Sequence, residues 1–65
     1  MFVVVNGSRH PLPEPRTLAE LLALLSPRTP FAVARNEEFI ARRDYDTCRI
    51  YPNDRIEIVR PMAGG

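Results

Sequence analysis

The sequence contains no lysine, only one cysteine and no long apolar run. Without lysine, no lysine-linked chain can be built on this protein, and Cys48 alone cannot form an internal disulfide. Small secreted domains usually carry several disulfides, so we expect a reducing compartment. No apolar stretch approaches the ~20 residues that span a bilayer, and the opening residues lack a basic, signal-like region. These absences predict a cytoplasmic protein with no membrane contact.

The side-chain charges nearly cancel. Nine arginines against eight acidic residues give a net charge of +1, and the arginines are spread from Arg9 to Arg60 without forming a block. Proteins that bind nucleic acid usually cluster their basic residues, so no nucleic-acid partner is expected. The chain is expected to fold as a single domain over residues 1–65. A core this small can hardly spare the walls of a substrate cleft of ~300 Å³, so an independent enzyme is not expected.

The residues that usually carry catalysis are too few to form a site. One histidine, one cysteine and three glycines cannot supply a Ser/His/Asp set, a glycine-rich phosphate loop or a metal cluster. His10 is predicted to be a solvated residue of an edge strand. Cys48 is predicted to be a buried structural thiol; the alternative is a thiol activated by its neighbour Arg49. We therefore predict no catalytic and no metal-binding residue in the body of the chain.

Local patterns predict a hairpin, a helix, a second hairpin and a final strand. Residues 2–5 run into Asn6-Gly7, a type I′ turn signal, and residues 8–12 return as an edge strand because Pro11 lacks an N–H. The capping box of Thr17 and Glu20 starts a helix that ends at residues 26–27. Its apolar stripe is formed by Leu18, Leu21, Leu22 and Leu25.

The second half of the chain is less regular. A second hairpin is predicted from residues 31–35 and 39–40 around a turn at 36–38. Residues 42–50 are expected to form an irregular connection with one helical turn, and a turn at 52–54 leads into a strand at 55–59. A right-handed crossover through the helix would place this last strand parallel to the first, at the sheet centre. The fold class is therefore α+β, a β-grasp (ubiquitin-like) mixed sheet of four to five strands with one main helix on one face.

The C-terminus is the one part of the chain where chemistry is expected. Gly64-Gly65 follows directly on a strand predicted to lie at the sheet centre, and residues 63–65 are expected to form a flexible tail. Without side chains, this arm can enter a narrow channel of a partner and bring its carboxylate to a reactive centre. Two terminal glycines are also common at a frayed, functionless chain end, so the dipeptide by itself leaves both interpretations open.

Residues 56–65 (IEIVRPMAGG) closely resemble the end of ThiS-type sulfur carriers of thiamin thiazole biosynthesis. The similarity continues through residues 33–40 with Arg42 and Tyr45, and through residues 5–7 and 17–22, so that it spans essentially the whole chain. Arg35 is a departure, because a residue at that position in the family is more often uncharged.

The resemblance implies a carrier and not a catalyst. Gly65 would be the covalent carrier, adenylated and then converted to a thiocarboxylate, and Gly64 would supply clearance. The adenylation would be done by a ThiF-like enzyme with ATP and magnesium, a sulfur donor protein would displace AMP, and a ThiG-like thiazole synthase would receive the sulfur. The chain itself would bind no cofactor.

Strand alternation predicts which residues meet these enzymes. One set should face the helix, namely Val3, Val5, Ile56 and Ile58, which leaves a second set on the opposite sheet face. That second set, together with two residues that follow the strand, is the predicted partner-binding patch: Phe2, Val4, Val59, Met62 and Ala63. Two alternatives remain at this stage. The carrier could serve molybdopterin synthesis or tRNA thiolation, or the chain could be a ubiquitin-like binding module with an idle carboxylate.

Overall fold

The protein is described by a computed structural model over residues 1–12 and 16–60. Its described strands are β1 (Phe2–Val5), β2 (Ser8–Pro11), β3 (Ala32–Arg35), β4 (Glu38–Ile40) and β5 (Arg55–Val59). They form one sheet in the order β2-β1-β5-β3-β4. The helix α1 spans Leu18–Leu25, and a 3₁₀ turn spans Arg42–Asp44. The last strand lies at the centre, parallel to β1 and antiparallel to β3, which confirms the β-grasp prediction.

Helix α1 begins where the capping box predicts. The Glu20 backbone N–H donates to the Thr17 hydroxyl at 3.2 Å, and the Thr17 N–H donates to the Glu20 carboxylate at 2.9 Å. These two bonds satisfy donors that every helix start leaves unpaired. The bonds from Thr17, first from its backbone and then from its hydroxyl, lower the pKa of Glu20 below its ordinary value. The helix ends at Ser26, which caps it in the left-handed conformation (φ 48°).

The core lies between the sheet and α1. Its buried members are Val3, Val5, Leu12, Leu18, Leu21, Leu22, Val33, Ile50 and Ile56. The predicted core-facing residues of the sheet and the predicted apolar stripe of the helix are both confirmed, because their remaining members, Ile58 and Leu25, also pack against this cluster. Leu12 and Ile50 belong to no periodic segment, so their burial was not predicted. In the described part of the chain, no helix is both long and apolar enough to cross a membrane.

The predicted environment of His10 was only partly correct. The residue lies on the edge strand β2 as expected, but it is half-buried. Its register partner on β1 is Val3, whose side chain is fully buried. Cross-strand partners point to the same face of a sheet. His10 therefore lies at the margin of the helix-covered face.

Both hairpins turn through two residues with positive φ. The first uses Asn6 (49°) and Gly7 (83°), and the second uses Asn36 (50°) and Glu37 (72°). This is the pattern of a type I′ turn, whose twist matches that of the strands it joins. The second turn is thus one residue shorter than predicted, because Glu38 already belongs to β4.

Replacing Glu37 by glycine is expected to stabilise the protein by about 0.5–1 kcal/mol, because a non-glycine residue pays a steric penalty at positive φ. The substitution also removes the ion pair of Glu37 with Arg55 (3.4 Å), but both side chains are more than 60% exposed, and such pairs contribute little. Chemical denaturation would measure the change. Gly7→Ala is the opposite control, since the added Cβ meets nothing within 4 Å and only the backbone penalty remains. Equal stability of the Glu37→Gly variant and the unmodified protein would contradict the expectation.

Candidate functional site at the C-terminal strand

Strand β5 leads to the C-terminus, and its first residues are fixed by a polar cluster. The Arg55 N–H donates to the Asn36 side-chain oxygen at 2.9 Å, and the Asn36 N–H donates to the Arg55 carbonyl at 2.7 Å. The Asn36 amide also donates to the carboxylate of Asp54 at 3.1 Å, which accepts the Tyr51 N–H at 2.9 Å. Asp54 is only 9% exposed, and these bonds satisfy its buried charge.

Arg35 completes this cluster. Its Nε lies 3.6 Å from the Asp54 carboxylate. Its Nη1 donates to the Cys48 sulfur at 3.4 Å and to the Arg49 carbonyl at 2.9 Å. The hydrogen bond to Cys48, and then the nearby Asp54, raise the pKa of Arg35 above its ordinary value. Cys48 was predicted to be buried; it is half-buried and packs against the core. The sequence interpretation did not predict the contact between its sulfur and Arg35.

The far half of β5 is held by a different asparagine. The Ile58 N–H donates to the Asn6 side-chain oxygen at 2.9 Å, and the Asn6 side-chain amide donates to the Ile58 carbonyl at 3.4 Å. The Asn6 backbone N–H also donates to the Ile56 carbonyl at 2.9 Å. The two hairpin asparagines thus hold β5 at its two halves. Sequence patterns gave both residues a turn role, but nothing in the sequence indicated that their side chains bind the last strand.

The chain leaves the sheet beside β3. Val59 is the register partner of Ala32, and Arg60 is the last residue that the structure describes. Residues 61–65 lie outside the described part of the chain. The predictions for Met62, Ala63, Gly64 and Gly65, including the flexible tail at 63–65, therefore stay predictions.

The open face of the sheet carries the other predicted partner-binding residues. Val59 is 48% exposed, whereas Phe2 and Val4 are half-buried. The Arg9 guanidinium lies 3.8 Å above the Phe2 ring, a cation–π contact that covers one side of the ring. The open face thus carries apolar side chains, one of which is partly shielded by Arg9.

The strand register separates these residues into two groups. Val4 is the partner of Arg55, so Val59 lies about 13 Å farther along β5 at the usual rise per residue. Arg55 lies beside Val4, and Glu57 lies between Arg55 and Val59 on the same face; both are exposed. The open face therefore has an apolar end near the chain exit, a charged centre and a second apolar end at Phe2.

Phe39 is an exposed apolar residue that the sequence interpretation omitted from the patch. It is 72% exposed and pairs with Ala34, which in turn pairs with Glu57. The three side chains therefore share the open face. Alternation along β4 was the available signal, because Ile40 packs against the core and its neighbour must point the other way.

The helix side carries an open groove of about 600 Å³, lined in part by Leu22, Phe31, Arg42, Tyr45 and Asp46. The Phe31 and Tyr45 rings stack with their centroids 6.5 Å apart. Within residues 1–12 and 16–60, no three His, Cys, Asp or Glu side chains come close enough to hold a metal ion. The side chains around the groove offer apolar contact and surface charge, and no nucleophile paired with a base.

Comparison with known proteins gives a consistent result. A model of the ThiS family matches residues 3–65. The crystal structure of a thiamine biosynthesis protein (ThiS) from Geobacter metallireducens is 28% identical, with 100% of both chains covered and a TM-score of 0.87. An NMR solution structure of a thiamine biosynthesis protein from the same organism is also 28% identical, covering 100% of this chain and 88% of that one at a TM-score of 0.80. No curated protein sequence matched significantly.

Proposed function

Because this chain belongs to the ThiS family of sulfur carriers in thiamine biosynthesis, we propose that it carries sulfur on the carboxyl group of Gly65, as a thiocarboxylate. The observation that carries the proposal is the position of β5. This strand is bonded to β1 on one side and to β3 on the other, and in the sequence four residues separate its end at Val59 from Gly64-Gly65. A strand fixed on both sides, followed by a short segment that ends in two glycines, can present a terminal carboxylate inside another protein.

The chemistry begins with activation, because a carboxylate is a poor electrophile. A ThiF-like enzyme with ATP and magnesium joins the Gly65 carboxylate oxygen to the α-phosphorus of ATP and releases pyrophosphate. A sulfide equivalent (HS⁻) released by a sulfur donor protein then attacks the acyl carbon and loses its proton, and AMP leaves with the former carboxylate oxygen. The product has one carboxyl oxygen replaced by sulfur. ATP and magnesium belong to the partner enzyme, and the carrier itself holds no cofactor.

The second partner is a ThiG-like thiazole synthase, which takes the sulfur for the thiazole ring. The carboxylate that remains can be adenylated again, so the chain is a recycled co-substrate and not an enzyme. Gly64 supplies the clearance that the arm needs inside both partners. Both enzymes bind the folded domain at the apolar end of the open sheet face, where Val59 is exposed next to the point at which the chain leaves the sheet.

Two measurements test this function. The chain is incubated with its cognate adenylating enzyme and ATP, and pyrophosphate release that requires Gly65 is expected. Intact mass spectrometry of carrier purified from sulfur-replete cells should show a gain of roughly 16 Da, as one oxygen is exchanged for sulfur in a covalent carrier. A chain that folds normally but gives neither signal would be a binding module with an idle carboxylate.

Replacing Val59 by aspartate is expected to weaken binding to the adenylating enzyme about tenfold or more, because a charge would be buried where an apolar contact was made. The protein should remain folded, since this side chain is 48% exposed. Titration calorimetry would give the Kd. Leu24→Asp is the matched control, because Leu24 is also exposed, at 60%, but lies on α1. Equal affinities of the two variants for the adenylating enzyme would show that Val59 is not part of the docking surface.

A further inference from the structure

The hydrogen bonds between β1 and β5 follow the alternation of a parallel ladder. The Val4 N–H donates to the Asp54 carbonyl, and two residues later the Asn6 N–H donates to the Ile56 carbonyl, both at 2.9 Å. The next bond of such a ladder would run from the Ile58 N–H to the backbone carbonyl of Asn6. The chain turns away there, because Asn6 has a φ of 49°.

The carboxamide of Asn6 takes the place of the missing backbone. Its oxygen accepts the Ile58 N–H at 2.9 Å, and its amide donates to the Ile58 carbonyl at 3.4 Å. A side-chain carboxamide has the same donor and acceptor as a peptide group, so it extends the ladder by one step beyond the end of β1. In the described part of the chain, these two bonds are the last ones on the β1 side of β5 before the chain leaves the sheet.

Resting on the proposed function, we propose that Asn6 is a positioning residue for the carrier arm. Its carboxamide fixes the peptide groups of Ile58, so that β5 stays straight up to three residues before Pro61. The arm then starts from a defined point and direction when it enters the adenylating enzyme. Restricting the conformations of a binding segment in advance lowers the entropy that must be lost on binding.

The structure contains a matched control for this role. Asn36 also starts a type I′ turn, has a φ of 50° and accepts a backbone N–H of β5, that of Arg55, at 2.9 Å. It acts at the beginning of the strand, away from the exit. Glycine tolerates positive φ, so Asn6→Gly and Asn36→Gly each keep the turn and remove two side-chain hydrogen bonds: those to Ile58 in the first variant and those to Arg55 and Asp54 in the second.

The test compares the two variants with the unmodified protein, under conditions where circular dichroism confirms that all three are folded. Amide hydrogen exchange should accelerate about tenfold at Ile58 in Asn6→Gly, the loss expected for one or two exposed hydrogen bonds. Single-turnover adenylation should show kcat/KM lowered by a similar factor in Asn6→Gly and unchanged in Asn36→Gly. Asn6→Asp keeps the acceptor for the Ile58 N–H, so its kcat/KM should lie between the values for Asn6→Gly and Asn36→Gly.

Equal adenylation by the two glycine variants would overturn the positioning role, even if both are less stable. Wild-type efficiency of Asn6→Gly would do the same. These results differ from failure of the proposed function, in which the unmodified chain itself would release no pyrophosphate. In that case the exchange rate at Ile58 would still report whether the carboxamide holds the strand.

Discussion

Addition of one alanine after Gly65 is expected to reduce pyrophosphate release by the cognate adenylating enzyme by about 100-fold or more. The extra residue moves the terminal carboxyl group by about 3.5 Å, and displacement of a reacting group by even ~1 Å can cost a factor of 100. The added Cβ would also meet the walls of a channel shaped for glycine. A discontinuous pyrophosphate assay, with intact mass to confirm that the alanine is retained, measures the loss.

Gly65→Ala is the companion variant, because it adds a methyl group without lengthening the chain. We expect it to lose less activity than the extended chain if the position of the carboxyl group matters more than bulk. Both variants should keep the thermal stability of the unmodified protein, since the core lies within residues 3–56. Full adenylation of an untrimmed extended chain would be incompatible with a C-terminal carrier.

Ile56→Ala is expected to lower the free energy of unfolding by about 2–5 kcal/mol, the usual cost of truncating a buried isoleucine. Ile56 is 1% exposed and lies on the central strand, opposite Val5 on β1 and Arg35 on β3. A domain of this size has a total stability of about 3–10 kcal/mol. The substitution therefore removes a large share of it, and a substantial unfolded population is expected near physiological temperature.

Urea denaturation followed by circular dichroism would measure the change. Leu24→Ala is the control, because Leu24 is 60% exposed and its truncation in a helix should change stability by less than about 0.5 kcal/mol. Adenylation should fall in the Ile56 variant only in proportion to the unfolded fraction. A midpoint close to that of the Leu24 variant would show that the β5 contacts contribute far less than their burial indicates.

Local signals account for most of the correct fold prediction. The Thr17 and Glu20 pair marked the helix start, the Asn6-Gly7 dipeptide marked the first turn, and alternation marked the strands. Each of these depends on residues a few positions apart, where backbone geometry leaves few choices. Chain order and the handedness of crossovers then placed β5 beside β1.

The details of the site were not predictable in this way, because they depend on contacts between distant segments. Asn6 and Ile58 are 52 positions apart, and Asn36 and Asp54 are 18 apart. The open-face patch was predicted from alternation alone. Alternation gives the face of a residue but not its position along the neighbouring strand, so the charged interval between Val4 and Val59 became apparent only with the register. The contacts of Arg35 with Asp54 and Cys48 likewise join segments that are distant in the sequence.

The central position of β5 also determines how the protein resists a pulling force applied at its C-terminus. Under the proposed function, an enzyme that held the sheet and drew the C-terminus into a channel would pull along the axis of a strand that is bonded on both sides. Such a load is parallel to the strand, so its cross-strand bonds share the strain instead of opening one after another. The domain would then stay folded through repeated insertion and withdrawal of the C-terminus. A carrier whose last strand lay at an edge would be peeled open by the same force.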